Sequence, residues 1–467
     1  MSSAIVWFRR NLRVSDNSAL SAAADSGKRI IPLYVIDELD QGEASRWWLH
    51  NSLQALDSTL RDDGGYLLIR SGNPVDVIRD LAEEFDASDV YLSARYEPAA
   101  VQQESDLAAS DGLTLHIATD YLLIEPGSVL TGGGSPFKVF TPFYKTASSL
   151  YVHSTPTAAP ADMNYVTPEP AGDRDAHEAL LPTLDWADKF PDYWTPGAEG
   201  ALLRLDEAKA KVPKYDVDRD RPDHDGTSRL SPHLHFGEIS VGQAYHALSR
   251  QQNAEPLIRQ LYWRDFSYHL LSEHPTLPNK PLRSEFDNFP WVEDEEHLKR
   301  WQRGRTGYPI VDAGMRQLWH TGWMHNRVRM IVASFLVKHL LIPWQHGADW
   351  FLDTLLDADL ANNSAGWQWV AGCGTDAAPY FRVFNPILQG QKFDPDGAYV
   401  REWVPELEHM PSKFIHEPWT TPNSVQQEYR VVIGEDYPAP IIEHKAARKR
   451  ALDAYQLSRD LANSAAS

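Results

Sequence analysis

The stretch "AIVWF" at residues 4–8 begins a series of five short apolar runs that decides the fold of the first quarter of the chain. The other runs are "IIPLYVI" (30–36), "YLLIR" (66–70), "DVYLS" (89–93) and "LTLHIA" (113–118). Segments with helical periodicity separate them, as at 45–62 and 74–86. Strands that alternate with helices imply a doubly wound parallel sheet covered by helices on both faces. We therefore predict a Rossmann-like α/β domain over residues 1–130.

The sequence pattern beyond residue 130 differs from this alternation of strands and helices. Residues 152–197 hold seven prolines and little periodicity, and "TGGGSPFKVFTPFYK" (131–145) before them is punctuated by glycine and proline. We therefore predict a linker over residues 131–197. Strand signals vanish beyond it, so residues 198–467 are predicted to form an all-α domain. No GxGxxG motif follows the first strand, so a dinucleotide is not specifically indicated there.

Composition narrows the class of protein. The 467 residues suffice for two or three domains. No long uncharged apolar window is present, and arginines follow the first apolar run, so we expect a cytoplasmic protein without a membrane span. Cys373 is the only cysteine, which excludes an intrachain disulfide and a cysteine metal cage. The 18 histidines show no ligand spacing, so no metal is expected.

Charge is distributed unevenly along the chain. The formal net charge of −21 argues against a nucleic-acid partner. Residues 299–338, however, carry eight lysines and arginines against one acid, Asp312. This basic segment is interpreted either as a solvated helix face or as a surface for an anion or nucleic acid, and its charge alone leaves both interpretations open.

Two short stretches carry candidate site residues. In "DTLLDADLANNSAGWQW" (353–369), Asp359, Asn363 and Trp367 are spaced four residues apart and would share one helix face. A polar surface face is the alternative interpretation. In "TSRLSP" (227–232), serine and threonine precede a helical pattern as residues typical of an N-cap, where backbone amides can hold a pyrophosphate or where an ordinary cap forms.

Several longer motifs, occurring in order from residue 4 to about 450, resemble the photolyase and cryptochrome family. "SPHLHFGEIS" and "LLDADL" are especially similar to the branch that contains plant cryptochromes and their bacterial photolyase relatives. The resemblance implies a light-harvesting antenna on the α/β part and a U-shaped FAD beside a DNA-facing pocket on the helical part. The motifs are "WFRRNLRVSDNSAL" (7–20), "DGTSRLSPHLHFGEIS" (225–240), "LYWRDF" (261–266), "GRTGYPIVDAGMRQLWHTGWMHNRVRMIVASFLVK" (304–338), "DADLANNSAGWQW" (357–369) and "FNPILQGQKFDPDGAYVREWVPEL" (384–407).

The resemblance assigns roles at the cofactor. Asp357 would pair with Arg329, Asp359 would accept from the flavin ring, and Asn363 would lie beside flavin N5. An acid is frequent at that last position in plant cryptochromes, so Asn363 favours a photolyase. Trp367, Trp344 and Trp291 would form an electron-transfer chain that runs from near the flavin to the surface, although large aromatics also fill cores. The remaining implied FAD contacts are Tyr215, Thr227, Ser228, Arg229, Leu230, Ser231 and Arg264.

The same resemblance assigns roles at the DNA lesion. Trp263 and Trp369 match the aromatic walls of the lesion pocket, and Arg327 and Lys392 are candidates for the flanking phosphates. Asn326 and Met330 follow the pattern of cyclobutane-dimer photolyases, whereas (6-4) photolyases typically have histidines at these two positions. Gln260 departs from the family, which usually has glutamate there, and Asn11 replaces an aspartate of the first motif.

The resemblance therefore implies light-driven repair of cyclobutane pyrimidine dimers in DNA by electron transfer from photoexcited FADH⁻, in a monomeric enzyme. A cryptochrome-type photoreceptor with weak or no repair is the first alternative, and a light-independent flavoenzyme or binding module is the second. The antenna ligands of some relatives are missing from residues 96–100. Methenyltetrahydrofolate is favoured over 8-hydroxy-deazaflavin, and an absent antenna is the third possibility.

Overall fold

The computed structural model describes residues 2–39, 42–183, 185–380 and 382–466. The chain forms two compact units, each assembled from separate segments. The first, here called the sheet unit, comprises residues 1–213, 228–275 and 356–361. The second, here called the helical unit, comprises residues 214–227, 276–355 and 362–467. The predicted domain boundaries at residues 130 and 197 stay predictions. The two units are defined by spatial compactness, and each combines separate stretches of the chain.

The sheet unit contains a five-stranded parallel sheet with the order β3-β2-β1-β4-β5. The central strand β1 is buried along its whole length, because apolar side chains project from both of its faces into the helix layers. All five predicted strands are present, and the predicted α/β class is confirmed. The third strand begins two residues later than predicted and the fourth begins two residues earlier, while the other three begin within one residue of the prediction. The strands are β1 Ser3–Phe8, β2 Arg29–Ile36, β3 Leu68–Ser71, β4 Ala87–Ser93 and β5 Thr114–Ala118.

Helices connect the strands and extend the sheet unit. Helix α3 has an N-cap at Asn73, whose side chain accepts from the backbone amides of Val75 and Asp76, and Pro74 occupies its first turn without losing a helical hydrogen bond. The helices are α1 Ser18–Asp25, α2 Glu43–Asp62, α3 Pro74–Phe85, α4 Pro98–Ala108, α5 Phe140–Leu150, α6 Arg174–Glu178, α7 Ala198–Lys211, α9 Ser231–Phe236, α10 Val241–Leu248 and α11 Glu255–Glu273.

The predicted linker is partly ordered against the sheet. The backbone amide of Ile30, in β2, donates to the carbonyl of Asn164 at 2.7 Å. This hydrogen bond places a short segment of the linker alongside the beginning of β2. The ring of Tyr165 lies against Gly65, where a Cβ atom would approach the ring to 2.3 Å. A larger residue at position 65 would have to displace the ring, so this part of residues 131–197 packs closely against the α/β layer.

The helical unit contains no strand within its described residues, as the sequence predicts. Helix α14 continues into a π-helix over Phe335–Leu340 and ends at Leu341, which has a positive φ of 59°. The helices are α8 Tyr215–Asp218, α12 Glu295–Gln302, α13 Pro309–Thr321, α14 Asn326–Ser334, α15 Trp344–Thr354, α17 Pro386–Phe393, α18 Ala398–Trp403, α19 Asn423–Glu428 and α20 His444–Ala466. Helix α16, Leu360–Ala371, begins in the sheet unit and continues in the helical unit. Among the described residues, no helix combines the length and apolarity that crossing a bilayer requires.

Candidate functional site

Asp359 lies in a buried polar cluster of the sheet unit. Its carboxylate is 6% exposed and accepts from the Tyr268 hydroxyl. Nδ1 of His235 lies 3.4 Å from the same carboxylate oxygen. The Tyr268 hydroxyl is also 3.2 Å from that of Tyr121. Three side chains from distant parts of the chain therefore position this carboxylate.

The environment of Asp359 keeps it ionised. Burial alone would raise its pKa, but the hydrogen bonds from His235 and Tyr268 and the charge of Arg264 outweigh burial and lower the pKa below its usual range. Burial lowers the pKa of His235 to about 4, so this imidazole is neutral at pH 7. Arg264 donates to the carbonyl of Tyr121 at 2.8 Å and lies over that tyrosine ring. The cluster is a fixed carboxylate beside a fixed cation.

Sequence reasoning missed His235, Tyr268 and Tyr121 in this cluster. A signal for Tyr268 exists, because it follows Arg264 by four residues on α11 and therefore shares its helix face. His235 lies within a quoted motif, yet 124 residues separate it from Asp359. Asp359 itself precedes α16 by one residue and is not on the predicted helix face, whereas Asn363 and Trp367 are inside the helix.

The predicted N-cap role of the segment 227–231 is wrong in detail. Helix α9 begins at Ser231, and its N-cap is Leu230, which makes no side-chain cap. Pro232 sets this boundary, since its fixed φ favours the first helical turn. Ser228 instead lies with its Oγ 3.4 Å from the amide of Leu230, and Arg229 has a φ of 51°. The segment is a turn before a short helix.

Gln260 and Trp263 both lie on α11 and are half-buried. Gln260 donates its amide to the carbonyl of Pro256 at 2.9 Å, four residues earlier in the helix. Trp263 stacks on Phe140 with ring centroids 3.7 Å apart and planes 9° from parallel. The guanidinium of Arg259 lies 5.3 Å from the centre of the same phenyl ring. Phe140, which the sequence did not single out, therefore supports one proposed wall of the lesion pocket.

Trp367 is buried in an aromatic cluster of the helical unit. Its ring is edge-on to Phe351 at 5.1 Å and to Trp301 at 6.3 Å. A Cβ atom on Gly347 would lie 2.1 Å from the indole, so glycine allows α15 to approach the ring. Trp344 begins that same helix and is 1% exposed. Helix α15 therefore carries one predicted electron carrier, Trp344, and packs against another, Trp367, at Gly347.

The third predicted carrier, Trp291, is half-buried and packs on Phe289 with ring centroids 4.3 Å apart. Trp344 stacks on no other ring among the described residues, so the triad is not a continuous aromatic stack. The electron-carrying role of the three tryptophans stays a prediction.

The side chain of Asn363 is oriented by a hydrogen bond within the helical unit. Its Nδ2 donates to the carbonyl of Ala348 at 3.0 Å, which fixes the amide plane. Its Oδ1 accepts no hydrogen bond from the described residues, so the side chain presents an acceptor. Trp369, two residues after Trp367, is half-buried, and its backbone carbonyl accepts from Ala378.

Helix α14 carries the predicted lesion and phosphate residues of the helical unit. Asn326 Nδ2 lies 4.0 Å from the sulfur of Met330, which confirms that the two share a helix face. Arg327 and Lys392 both rest on Phe393, with their cationic atoms 4.5 and 4.9 Å from the ring centre. Arg327 also pairs with Asp220 at 2.8 Å, so an anion would compete with that carboxylate. One phenyl ring therefore brings the two cations together.

The remaining predicted cofactor residues lie in defined surroundings. Tyr215 is buried under the guanidinium of Arg219, 5.3 Å from its ring centre. Arg329 donates its Nε to the carbonyl of Met324 at 2.8 Å. Asp357 is 8% exposed. The pairing of Asp357 with Arg329 and the role of Thr227 stay predictions.

Side chains of the predicted antenna segment are engaged with protein partners. Glu97 is paired with Arg95 at 2.9 Å, and although burial opposes it, this pairing lowers the pKa of Glu97 to about 2. The hydroxyl of Tyr96 donates to Glu125. Asn11 accepts from the amide of Arg9 at 2.8 Å, so it stabilises the turn after β1.

Comparisons with known proteins identify the family. The model described as "FAD binding domain of DNA photolyase" matches residues 257–457, and the model described as "DNA photolyase" matches residues 4–161. The chain is 47% identical over 464 residues to a deoxyribodipyrimidine photo-lyase of Agrobacterium fabrum, covering 97% of each. It is 36% identical to cryptochrome-1 of Arabidopsis thaliana, covering 96% of this chain and 69% of that protein.

A solved structure supports the same conclusion. The crystal structure of a bacterial class III photolyase from Agrobacterium tumefaciens superposes with a TM-score of 0.96 at 46% identity, covering 98% of each chain. The chain therefore belongs to the photolyase and cryptochrome family, and it carries that family's FAD-binding domain.

Proposed function

We propose that this protein is a deoxyribodipyrimidine photolyase that uses light to repair cyclobutane pyrimidine dimers in DNA. The observation that carries the proposal is the buried, ionised Asp359 held beside Arg264 by His235 and Tyr268. A buried carboxylate that its neighbours hold ionised can accept a further hydrogen bond from a donor of fixed geometry, and the N–H edge of a flavin ring is such a donor. The 47% identity to a protein of that name supports the substrate class.

The donors and acceptors present fit FAD. In the sheet unit, the turn over Ser228, Arg229, Leu230 and Ser231 and the cation of Arg264 suit the phosphates, while Asp359 suits the ring. In the helical unit, Asn363 offers an oriented amide, and Tyr215, Thr227 and Arg329 are the further proposed contacts. When bound, reduced FAD supplies the photoexcited electron that opens the cyclobutane ring.

The chain's own residues position the reactants and set charges. Asp357 and Asp359 hold the pocket and the ring, and Asn363 carries no proton that it could release, which favours a stable reduced cofactor. Trp291, Trp344 and Trp367 are proposed to carry electrons to the flavin during photoreduction. Phe351 and Trp301 pack around Trp367 and exclude water from this indole.

The DNA contacts are proposed from chemistry. A lesion swung out of the duplex stacks on aromatic side chains, and Trp263 and Trp369 are the proposed walls, with Asn326 and Met330 beside them. Arg327 and Lys392 are the proposed phosphate contacts. Their local charge can hold DNA on an acidic chain, because the field near a surface depends on nearby groups more than on net charge.

The antenna is proposed to be methenyltetrahydrofolate, favoured over 8-hydroxy-deazaflavin by the similarity to the plant-like branch. Glu97 and Tyr96 have protein partners, so a folate would bind elsewhere on the α/β part or in another mode. A monomeric state and a cytoplasmic location are further proposals from the sequence.

The deciding experiment is illumination of the reduced protein with an oligonucleotide that carries one cyclobutane dimer. Repair should proceed in blue or near-ultraviolet light and not in the dark. Trp369→Ala should weaken binding of the damaged strand about 10- to 100-fold, since stacking of one base contributes about 1–3 kcal/mol. The matched control is Trp319→Ala, which removes an exposed indole stacked on Trp350 at 5.8 Å and should leave binding unchanged.

Gln260 favours a second candidate, a blue-light photoreceptor with little repair. A glutamine donates an N–H but lacks the negative charge and proton-sharing capacity of glutamate, and here its amide is turned toward Pro256. Normal flavin photoreduction without any loss of dimers would establish this alternative. If Gln260→Glu then restores repair, the residue is the cause.

A further inference from the structure

The helical unit contains a basic cavity of about 720 Å³, separate from every residue assigned to flavin or DNA above. Its volume falls within the range of about 300–1,000 Å³ that is usual for small-molecule sites. One wall is the segment 434–441. The opposite wall is the end of α12 with the loop after it, and it contributes Lys299, Arg300, Arg303 and Arg305. This cavity accounts for half of the cations in the basic segment 299–338.

A buried carboxylate holds the two walls together. Asp312 accepts from the backbone amide and hydroxyl of Thr306 at 2.7 and 2.6 Å, and from the amide of Gly307 at 3.0 Å. From the other wall, the hydroxyl of Tyr437 donates to the same carboxylate at 2.6 Å. Ile441 donates its amide to the carbonyl of Thr306 at 2.9 Å. The loop that carries the arginines is therefore preorganised.

The cations are only weakly neutralised. The guanidinium groups of Arg303 and Arg305 form no ion pair with any described residue. Arg300 donates its Nε to the carbonyl of Arg305 at 3.2 Å, and its guanidinium forms no ion pair with any described residue. Lys299 lies 3.1 Å from Glu295, an exposed helix pair of small energetic value.

Two acids, Glu296 and Glu435, also line the cavity, so its lining carries a net charge of about +2. Arginines that line the same cavity repel each other, and an anion with several charges would relieve this repulsion. Guanidinium groups bind phosphate oxygens in a bidentate manner.

We propose that this cavity binds a small molecule that carries two or more phosphate groups. Its phosphates would contact Arg300, Arg303 and Arg305, and its uncharged part would lie against the Pro438–Ile441 side. A concave pocket fits a compact polyphosphate better than the convex backbone of a duplex. This proposal does not depend on the repair activity.

The test is isothermal titration of the intact FAD-containing protein at low salt with tripolyphosphate, a nucleoside triphosphate and inorganic phosphate. The two polyphosphates should bind, and inorganic phosphate should bind at least about tenfold more weakly, because it engages fewer arginines. Arg303→Gln with Arg305→Gln should reduce polyphosphate affinity at least about tenfold. Lys445→Gln with Lys449→Gln on α20 makes the same change in net charge and is the matched control.

Each other outcome overturns the proposal. Absence of polyphosphate binding does so, and so does an equal loss in the control variant, which would indicate diffuse charge attraction. If the arginine variant keeps polyphosphate affinity but loses affinity for undamaged duplex DNA, the cavity is an additional DNA contact. Dimer repair should be the same in all three proteins, so failure of this proposal is distinguishable from failure of the repair function.

Discussion

Asp359 in the sheet unit and Asp312 in the helical unit are the same chemical group with pKa values shifted in opposite directions. Both are buried, and both accept a hydrogen bond from the hydroxyl of a buried tyrosine. Burial raises the pKa of Asp312 despite its hydrogen bonds, whereas hydrogen bonds and the charge of Arg264 lower that of Asp359. Hydrogen bonds and Arg264 thus keep Asp359 ionised for binding, whereas burial outweighs the effect of Arg316 at Asp312, which fastens a loop.

The largest effect on stability is expected at Asp312, which fastens the loop. Asp312→Ala leaves Thr306, Gly307 and Tyr437 with unpaired buried donors and should lower the free energy of unfolding by about 3–5 kcal/mol. Urea unfolding followed by tryptophan fluorescence would measure this. Asp312→Asn, which keeps an acceptor oxygen, should cost less, and an unchanged midpoint in both variants would disprove the fastening role.

The next effect is a loss of dimer repair on substitution of Asp359. Asp359→Asn should reduce dimer repair about 100-fold, because it removes a fixed charge at the proposed flavin ring. The flavin content and absorption spectrum of the purified protein, read beside the repair rate, separate cofactor loss from slower chemistry. Asp312→Asn is the comparison, and it should retain its flavin spectrum. Equal effects on flavin in both variants would remove the distinction between the two acids.

A pH effect of intermediate size is expected from Asp265, beside Arg264. Burial raises the pKa of Asp265 to about 7. The pKa of Asp265 in the folded protein thus exceeds its value near 4 in the unfolded chain. Its contribution to the free energy of unfolding is therefore complete below about pH 4 and is lost as the pH rises through 7. The native protein should lose about 2 kcal/mol relative to Asp265→Asn between pH 5 and pH 7. Parallel stability curves for the two proteins over this interval would contradict the assignment.

The smallest effects come from removing one hydroxyl in each region. Tyr437→Phe and Tyr268→Phe should each cost about 1 kcal/mol of local stabilisation. Only Tyr268→Phe should also shift the flavin spectrum, since it loosens Asp359. If Tyr437→Phe shifts the spectrum as much, the two regions are coupled and the contrast between them fails.

Local sequence signals predicted the sheet closely. The strands were found because buried apolar runs between helical segments have few other interpretations. The N-cap residue of α9 was predicted wrongly, because Pro232 sets the helix boundary more strongly than the capping preference of serine and threonine. The place of Asp359 just before its helix was missed for a related reason, since helix ends depend on contacts beyond the local sequence.

The sequence by itself determined the fold class, the family and the residue types of the proposed site. Only the tertiary structure decided the direction in which the pKa of each acid is shifted, because this depends on neighbours far away in the chain, such as His235 beside Asp359 and Tyr437 beside Asp312. It also decided that Phe140 supports Trp263 and that Phe393 brings Arg327 and Lys392 together. The physical reason is that burial and hydrogen bonding act over a few ångströms of space, whereas the sequence orders residues only along the chain.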